Sequence, residues 1–361
     1  MRIIRHGAHQ IIRTTQKSNA AAIGHTAACR VHPPAPTPVI DALLHRSRVL
    51  VAQPAALEAA LLRAFGLPPT TGVAPLTRLA DAGCPLDQAW LRADPVHLAI
   101  SRDNAQLFDS HVIDPTAEEM AAIAATVNAH FASQGIKVEF PDPARGYIAT
   151  ETNNLPNSTP LWQMAGANVF DHLPLSKTRT NWRAISNEMQ MLLHEHPINQ
   201  TRAANGSPVI NGLWIWGGGT VETVLSASDP ATESPTFTHV FARLALARGL
   251  AMAKGLALAT LPPRFDAGLI QQDSLVVLHT ATREIRGQSR ETWPAEVAAI
   301  ERDWVTPAVA ALNVGELHAL TLLIPCESVT LTIKVAPNGI KAKVLSLAGL
   351  LTGKKSLGGF A

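Results

Sequence analysis

The sequence predicts an α/β protein: a mainly parallel sheet flanked by helices, with a small α+β unit set into it. Three observations lead there. Of 361 residues 47% are apolar and 16% charged, so the chain can bury a substantial core. Apolar strands alternate with amphipathic helices through residues 209 to 324, the rhythm of a sheet covered on both faces. Residues 89 to 150 instead read as a hairpin, a helix and a strand.

Each element follows from local pattern. "VIDALLHRSRVLV" predicts a helix followed by a short strand, and "PAALEAALLRAFG" a helix stopped by Gly66. "TTGVAPLTRLADAGCPLDQAW" is turn-rich. "LRADPVHLAISRDNAQLFD" gives two extended pieces around the polar turn "SRDN". Thr116 and Glu119 form a capping box that opens a helix ending at Gly135, and "IKVEF" is the next strand. Trp182, Ile185, Met189, Leu192 and His196 recur at helical spacing, and Pro197 stops that helix or opens a new turn. Gly206 and Pro208 precede the apolar strand "VINGLWIW". Beyond it come a helix over "SPTFTHVFARLALARGLAMAKG", the buried strand "SLVVLH", a long helix "WPAEVAAIERDWVTPAVAAL" and the strand "ALTLLIP".

Composition excludes several function classes. The 30 basic and 28 acidic residues are interspersed and give a net charge of +2. With one Tyr and nine Phe there is little from which to build a stacking platform, so nucleic acid is not an expected partner. Cys29, Cys84 and Cys326 are odd in number and far apart, which argues against a disulfide framework and fits a cytoplasmic setting. No apolar run reaches the roughly 18 to 20 residues of a transmembrane helix. Residues 1 to 40 contain Arg2, Arg5, Arg13, Lys17 and Arg30 but no acid. This balance is similar to a transit peptide without its apolar core, and a poorly structured extension over residues 1–35 is expected.

Several motifs carry too little to assign chemistry. "IIRHGAH" contains the Arg-His-Gly of histidine phosphatases without a second His-bearing segment. "HEH", residues 194 to 196, lacks the three- or four-residue spacing of ligands on one helical face. In "WGGG", Gly217, Gly218 and Gly219 either expose backbone N–H groups to an anion or make a tight turn. Lys341, Lys343, Lys354 and Lys355 surround an apolar stretch in the C-terminal tail, which packs on the core or hangs loose.

Taken in order, "LRADPVHL", "DPTAEEMAAIAATVNAHF", "NEMQMLLHEHPIN", "INGLWIWGGG" and "AIERDWVTPAVAAL" resemble the RpfE-type regulatory proteins of proteobacteria, which are phosphoglycerate mutase-like. More remotely, "HPINQTRAANGSPVINGLWIWGGG" is similar to the His-Pro-x-Asn-x-x-Arg and Trp-Gly-x-Gly segment of archaeal-type, cofactor-independent phosphoglycerate mutases. The resemblance spans roughly residues 36 to 335 and implies an alkaline phosphatase-like core. That core would comprise residues 36–88 and 205–335, with an inserted α+β domain over 89–204 and a tail over 336–361.

The resemblance also implies, for active mutases, two divalent metals on Asp and His ligands and a Ser that accepts phosphate. This chain departs from that pattern. No Asp-Gly motif opens the core, and Thr70 or Thr71 stands where the Ser is expected. "TATREIRG" follows the strand "SLVVLH", leaving His279, and Pro325 and Cys326 replace an Asp-His pair. The expectation is a pseudoenzyme without resident cofactor. It would be a regulatory or binding protein that takes a phosphorylated or carboxylate metabolite, and a protein partner is a further possibility. Arg92, Asp94, His97, Asn199 and Arg202, with the three glycines, are the candidate ligand residues, guanidinium being suited to phosphate or carboxylate. Their alternative role is to knit the domain junction. The enzyme alternative is a divergent mutase or phosphomonoesterase holding Mn or Zn on Asp266, Asp273, His279 and Asp303. A partner-binding module would instead expose apolar area around Trp214, Trp216 or the C-terminal tail.

Overall fold

Two sheets organise the chain. The computed structural model describes residues 2–5, 37–46, 49–52, 56–100, 105–164, 169–172, 178–227, 236–278, 293–325 and 330–335. Its strands are β1 (Arg2–Arg5), β2 (Val49–Ala52), β3 (Ala89–Ile100), β4 (Ala105–Phe108), β5 (Val138–Asp142), β6 (Arg145–Thr150), β7 (Gly212–Gly219), β8 (His239–Phe241), β9 (Ala257–Ala259), β10 (Ser274–Leu278), β11 (Leu320–Pro325) and β12 (Thr330–Val335).

The larger sheet has the order β2-β12-β11-β1-β10-β8-β9. It is mixed. Strands β11, β1, β10, β8 and β9 pair in parallel, whereas β12 is antiparallel to both β11 and β2. A mainly parallel sheet therefore describes only part of it. Every residue of β10 is buried, as its unbroken apolar run requires when helices cover both faces. Alternation divides them: Leu275 and Val277 join the core beneath helices Leu57–Ala64 and Ala245–Ala253. Val276 and Leu278 face helix Pro38–Arg46 and the Trp304–Leu312 helical stretch.

That second face contains a π-helical stretch, Glu301–Val305, between helices Trp293–Ile300 and Thr306–Val314. Pro307 has no N–H to give the Asp303 carbonyl four residues earlier, and the Phe265 N–H donates to that carbonyl instead at 2.8 Å. Buried Glu301 in turn accepts from the N–H groups of Val39 (3.2 Å) and Ile40 (2.9 Å), tying helix Pro38–Arg46 to this segment.

The smaller sheet is antiparallel, in the order β4-β3-β6-β5, with β7 also paired to β3. One face carries Leu91, Ala93, Leu213 and Ile215 against helices Ala117–His130 and Trp182–His194. The other carries Trp214 and Trp216, which join the core formed with helices Leu57–Ala64 and Ala245–Ala253. Both Thr116–Glu119 capping bonds are present, at 3.2 and 2.9 Å. Trp182, Ile185 and Met189 are buried as their spacing demands. Leu193 is buried beside them, and Leu192 packs partly buried against the same core, positions three and four residues after Met189 sharing one helix face. His196 belongs to the next helix, Pro197–Ala204, as its N-cap: its Nδ1 accepts from the Ile198 N–H at 3.3 Å.

Several sequence expectations need correction. Arg2–Arg5 is not loose extension but a strand between β10 and β11 in parallel register, whereas residues 6–35 lie outside the described residues. The turn-rich stretch after Gly66 contains helix Ala74–Ala82, with Pro75 in its first turn and Gly83 at its end. Strand β7, expected in the larger sheet, pairs with β3, so the smaller unit reaches Gly219 rather than stopping at residue 204. Strand β8 occupies part of the stretch read as one helix before Gly255. The tail over 336–361 lies outside the described residues.

Candidate functional site

The cleft between the two sheets is where candidate residues meet. A cavity of about 430 Å³ opens there. Leu57, Glu58 and Leu244 to Leu246 line it from the larger unit; Arg92, Asp94, Arg145, Trp216 and the Asp109–His111 turn line it from the smaller. Leu161 and Trp162 add an apolar wall.

Arg92 and Asp94 sit two apart on β3, so both side chains project from the same face of the strand, toward the cleft. Arg92 Nε donates to Asp94 Oδ1 at 2.8 Å, Nη2 lies 2.7 Å from the same oxygen, and Nη1 reaches Thr77 Oγ1 at 3.3 Å. Trp216 Nε1 donates to Asp94 Oδ2 at 2.7 Å. The guanidinium carbon of Arg92 also lies 5.2 Å from the Trp216 ring centre and 5.5 Å from that of Tyr147. Asp94 is fully buried, and burial pushes its carboxyl above the usual range against the pull of Arg92 and the Trp216 bond.

Beside this triad, Arg145 donates to Asp81 at 2.7 and 3.0 Å and to Asp142 at 2.8 Å. The Tyr147 hydroxyl donates to Asp81 at 2.6 Å. Burial works to raise the Asp81 carboxyl, but the Arg145 charge and bonds, with the Tyr147 hydroxyl, outweigh it and hold Asp81 below the usual carboxylate range. Both cleft-facing guanidinium groups are thus matched to carboxylates of the chain itself.

The remaining candidates make their bonds within the smaller unit. Asn199 donates to the carbonyls of Leu193 (2.7 Å) and Ile210 (2.8 Å) and accepts from the Ile210 N–H (2.7 Å), joining two helices to the start of β7. Arg202, also buried, donates to both Glu119 oxygens (2.8 and 2.7 Å), to Pro208 O at 2.7 Å and to Ile113 O. His97 bonds the Val209 carbonyl at 2.9 Å. None of the three lines the cavity.

The glycine run also has a structural task. The β3–β7 register slips between Trp90 and Arg92, and Gly217 takes φ 68°, the mark of a bulge. A Cβ at Gly72 would come within 2.0 Å of Gly218 O, so the bulge and the Gly72 loop approach at backbone distance. Trp214 and Trp216 are each 4% exposed, so neither offers apolar surface to a partner; the C-terminal tail, the other expected place for such surface, lies outside the described residues.

Asp266, Asp273 and Asp303, the metal candidates among the described residues, form no common donor set. Asp266 caps a short 3-10 turn by accepting from Gly268 N at 2.7 Å; Asp303 pairs with Arg302 at 2.6 Å; the Asp273 carbonyl accepts from Thr238 and His239. His279 and Cys326 lie outside the described residues. Among the described residues no three His, Cys, Asp or Glu side chains come together as a metal cluster. Thr71, in the position expected for a phosphate acceptor, gives its hydroxyl proton to Pro68 O at 2.7 Å. No described helix is long and apolar enough to cross a membrane.

Glu58, Asp81, Arg145, Tyr147 and Trp162 were not legible as site residues. Tyr147 is the one tyrosine of the chain, a signal of rarity without a role attached to it.

Comparison with known proteins agrees with this architecture. No family model matches the chain. It is 24% identical over 233 residues to a probable 2,3-bisphosphoglycerate-independent phosphoglycerate mutase of Geobacter sulfurreducens, covering 61% of this chain and 57% of that protein. It is also 24% identical over 197 residues to the mutase of Methanosarcina mazei, covering 51% and 48% of the two chains. The chain thus spans about half the length of the curated relatives it matches. Among solved structures, the PH0037 protein of Pyrococcus horikoshii superposes with a TM-score of 0.53 at 15% identity, over 99% of this chain and 98% of that one. The chain is therefore similar in sequence to cofactor-independent phosphoglycerate mutases and shares its mixed α/β fold with PH0037.

Proposed function

We propose that this phosphoglycerate mutase-like chain is a binding protein, regulatory in the RpfE sense, which holds a small molecule in the cleft between its sheets and does not turn over phosphoglycerate. The observation that carries this reading is the state of the cleft cations. Arg92 is spent on Asp94 and Arg145 on Asp81 and Asp142. A phosphorylated or carboxylate metabolite, the ligand first expected, would have to compete with these internal carboxylates for every bond. A transferring phosphoryl group needs cations free to meet it.

The two divalent ions that the resemblance implies find no ready donor set among the described residues: Asp266 accepts from the Gly268 N–H, Asp303 pairs with Arg302, and no three His, Cys, Asp or Glu side chains gather as a metal cluster there. No step is derived through a metal. Spare cysteine use supports a cytoplasmic setting. The alternative, a divergent mutase or phosphomonoesterase using Mn or Zn, draws on the names of the relatives. Turnover of 3-phosphoglycerate by the purified full chain, with Mn²⁺, Zn²⁺ or Mg²⁺ added and with chelator, separates the two. Rates at background in all conditions support the binding reading, and chelator-sensitive turnover overturns it.

A further inference from the structure

Glu58 stands apart from every other charged group of the cleft. It lies in the first turn of helix Leu57–Ala64 and lines the cavity. Its Oε2 is shut off from solvent and has no hydrogen-bond partner among the described residues. Glu58 as a whole is half-buried, but one carboxylate oxygen so enclosed costs free energy unless a donor or cation meets it, and the helix N-terminus offsets only part of that cost. The two arginines that line the cavity do not supply the missing charge, since Arg92 is committed to Asp94 and Arg145 to Asp81 and Asp142.

The cleft also shows how it accommodates a cation. Arg92 is held between a buried carboxylate, Asp94, and the rings of Trp216 and Tyr147. The same cavity is lined by a further carboxylate and a further aromatic ring. Glu58 provides the carboxylate, and half-buried Trp162, edge-on to Trp216 at 5.1 Å between ring centres, provides the aromatic wall. Leu57, Leu161, Leu244 and Leu246 make the rest of that wall apolar, and about 430 Å³ lies within the range of small-molecule pockets.

We infer that the cleft ligand is an organic cation, an ammonium or amidinium group on an apolar, ring-bearing body, with Glu58 as its counter-ion and Trp162 as its aromatic partner. This rests on the reading of the cleft as a binding site and departs from the anionic ligand that the sequence suggested. A phosphoglycerate would bring like charge to Glu58 and little apolar surface to the leucines.

The test uses two probes with the same ring and opposite charge, 2-phenylethylamine and phenylacetate, titrated into the full chain by calorimetry, with 3-phosphoglycerate as a third. The expected result is saturable binding of the amine at least 10-fold tighter than either anion. Glu58→Gln should erase that preference and Trp162→Ala should weaken the amine, with thermal unfolding of each variant run as a control for folding. Because Trp162→Ala leaves the charge in place, it keeps the test decisive if Glu58→Gln does not fold. Tighter binding of phenylacetate or 3-phosphoglycerate would overturn the inference while leaving a binding cleft intact. Amine affinity unchanged in folded Glu58→Gln, or no binding of any probe, would also overturn it. Chelator-sensitive turnover, by contrast, would remove the underlying reading itself.

Discussion

Arg202→Ala separates a ligand-binding arginine from a scaffold arginine. The side chain is 8% exposed and donates to Glu119, Pro208 O and Ile113 O, so truncation leaves a carboxylate and two carbonyls short of a donor. Removing one partner of a buried ion pair costs roughly 3 to 5 kcal/mol. Glu119 is 19% exposed and keeps its bond to the Thr116 N–H, so partial hydration places the loss near the lower bound, about 3 kcal/mol. That is a large share of a typical folding free energy of about 5 to 15 kcal/mol. Urea unfolding of the full chain, followed by tryptophan fluorescence and far-ultraviolet dichroism, should show the midpoint falling in Arg202→Ala. Glu119→Gln should lose less, and the double variant should show coupling above about 1 kcal/mol. Binding in the cleft should persist wherever the variant is folded, because Arg202 does not line it. An unchanged midpoint together with lost ligand binding would refute the scaffold assignment.

Three further outcomes follow from local geometry. Gly249→Ala should destabilise the chain although Ala is the better helix former by about 1 kcal/mol, because its Cβ would lie 1.9 Å from Leu76 O across two packed helices; a raised melting temperature would contradict this. Asp81 has a depressed carboxyl, so its contribution is present above the usual carboxylate range and lost as pH falls through the lowered value. Stability measured from pH 6 downward to about pH 3 should therefore drop less steeply in Asp81→Asn than in the parent, and parallel curves would refute the assignment. Thr116→Ala removes the hydroxyl that accepts from the Glu119 N–H, and should cost about 1 kcal/mol in urea unfolding, with no loss counting against the cap.

Local signals in the sequence proved legible where one element decides its own form. The Thr116–Glu119 box, the all-buried run of β10 and the Trp182–Met189 stripe each stand in the structure. What failed was pairing at a distance. The apolar alternation of "GLWIW" is the same whichever sheet receives it, and only contact with β3, more than a hundred residues earlier, puts β7 in the smaller one. Helix Ala74–Ala82 was hidden because Pro75 and Gly83, read as turn signals, are its start and stop.

The candidate site divides in the same way. Arg92 and Asp94 were found from their residue types and do face the cleft, whereas Asn199 and Arg202, found by the same argument, are consumed by backbone carbonyls and Glu119. Residue type shows that a guanidinium is present, but not whether it lines a cavity or which group of the chain it is committed to. Glu58, at the start of an ordinary amphipathic helix, becomes notable only when the cavity beside it and its missing partner are seen.

The central claim is that the cleft binds without metal-dependent phosphoryl transfer. Its most direct test is a calorimetric titration of Mn²⁺, Zn²⁺ and Mg²⁺ into the purified full chain, with and without 3-phosphoglycerate. The account predicts no stoichiometric metal binding and no heat from phosphoglycerate that depends on added metal. Tight binding of two equivalents, with metal-dependent heat and product on adding phosphoglycerate, would contradict it.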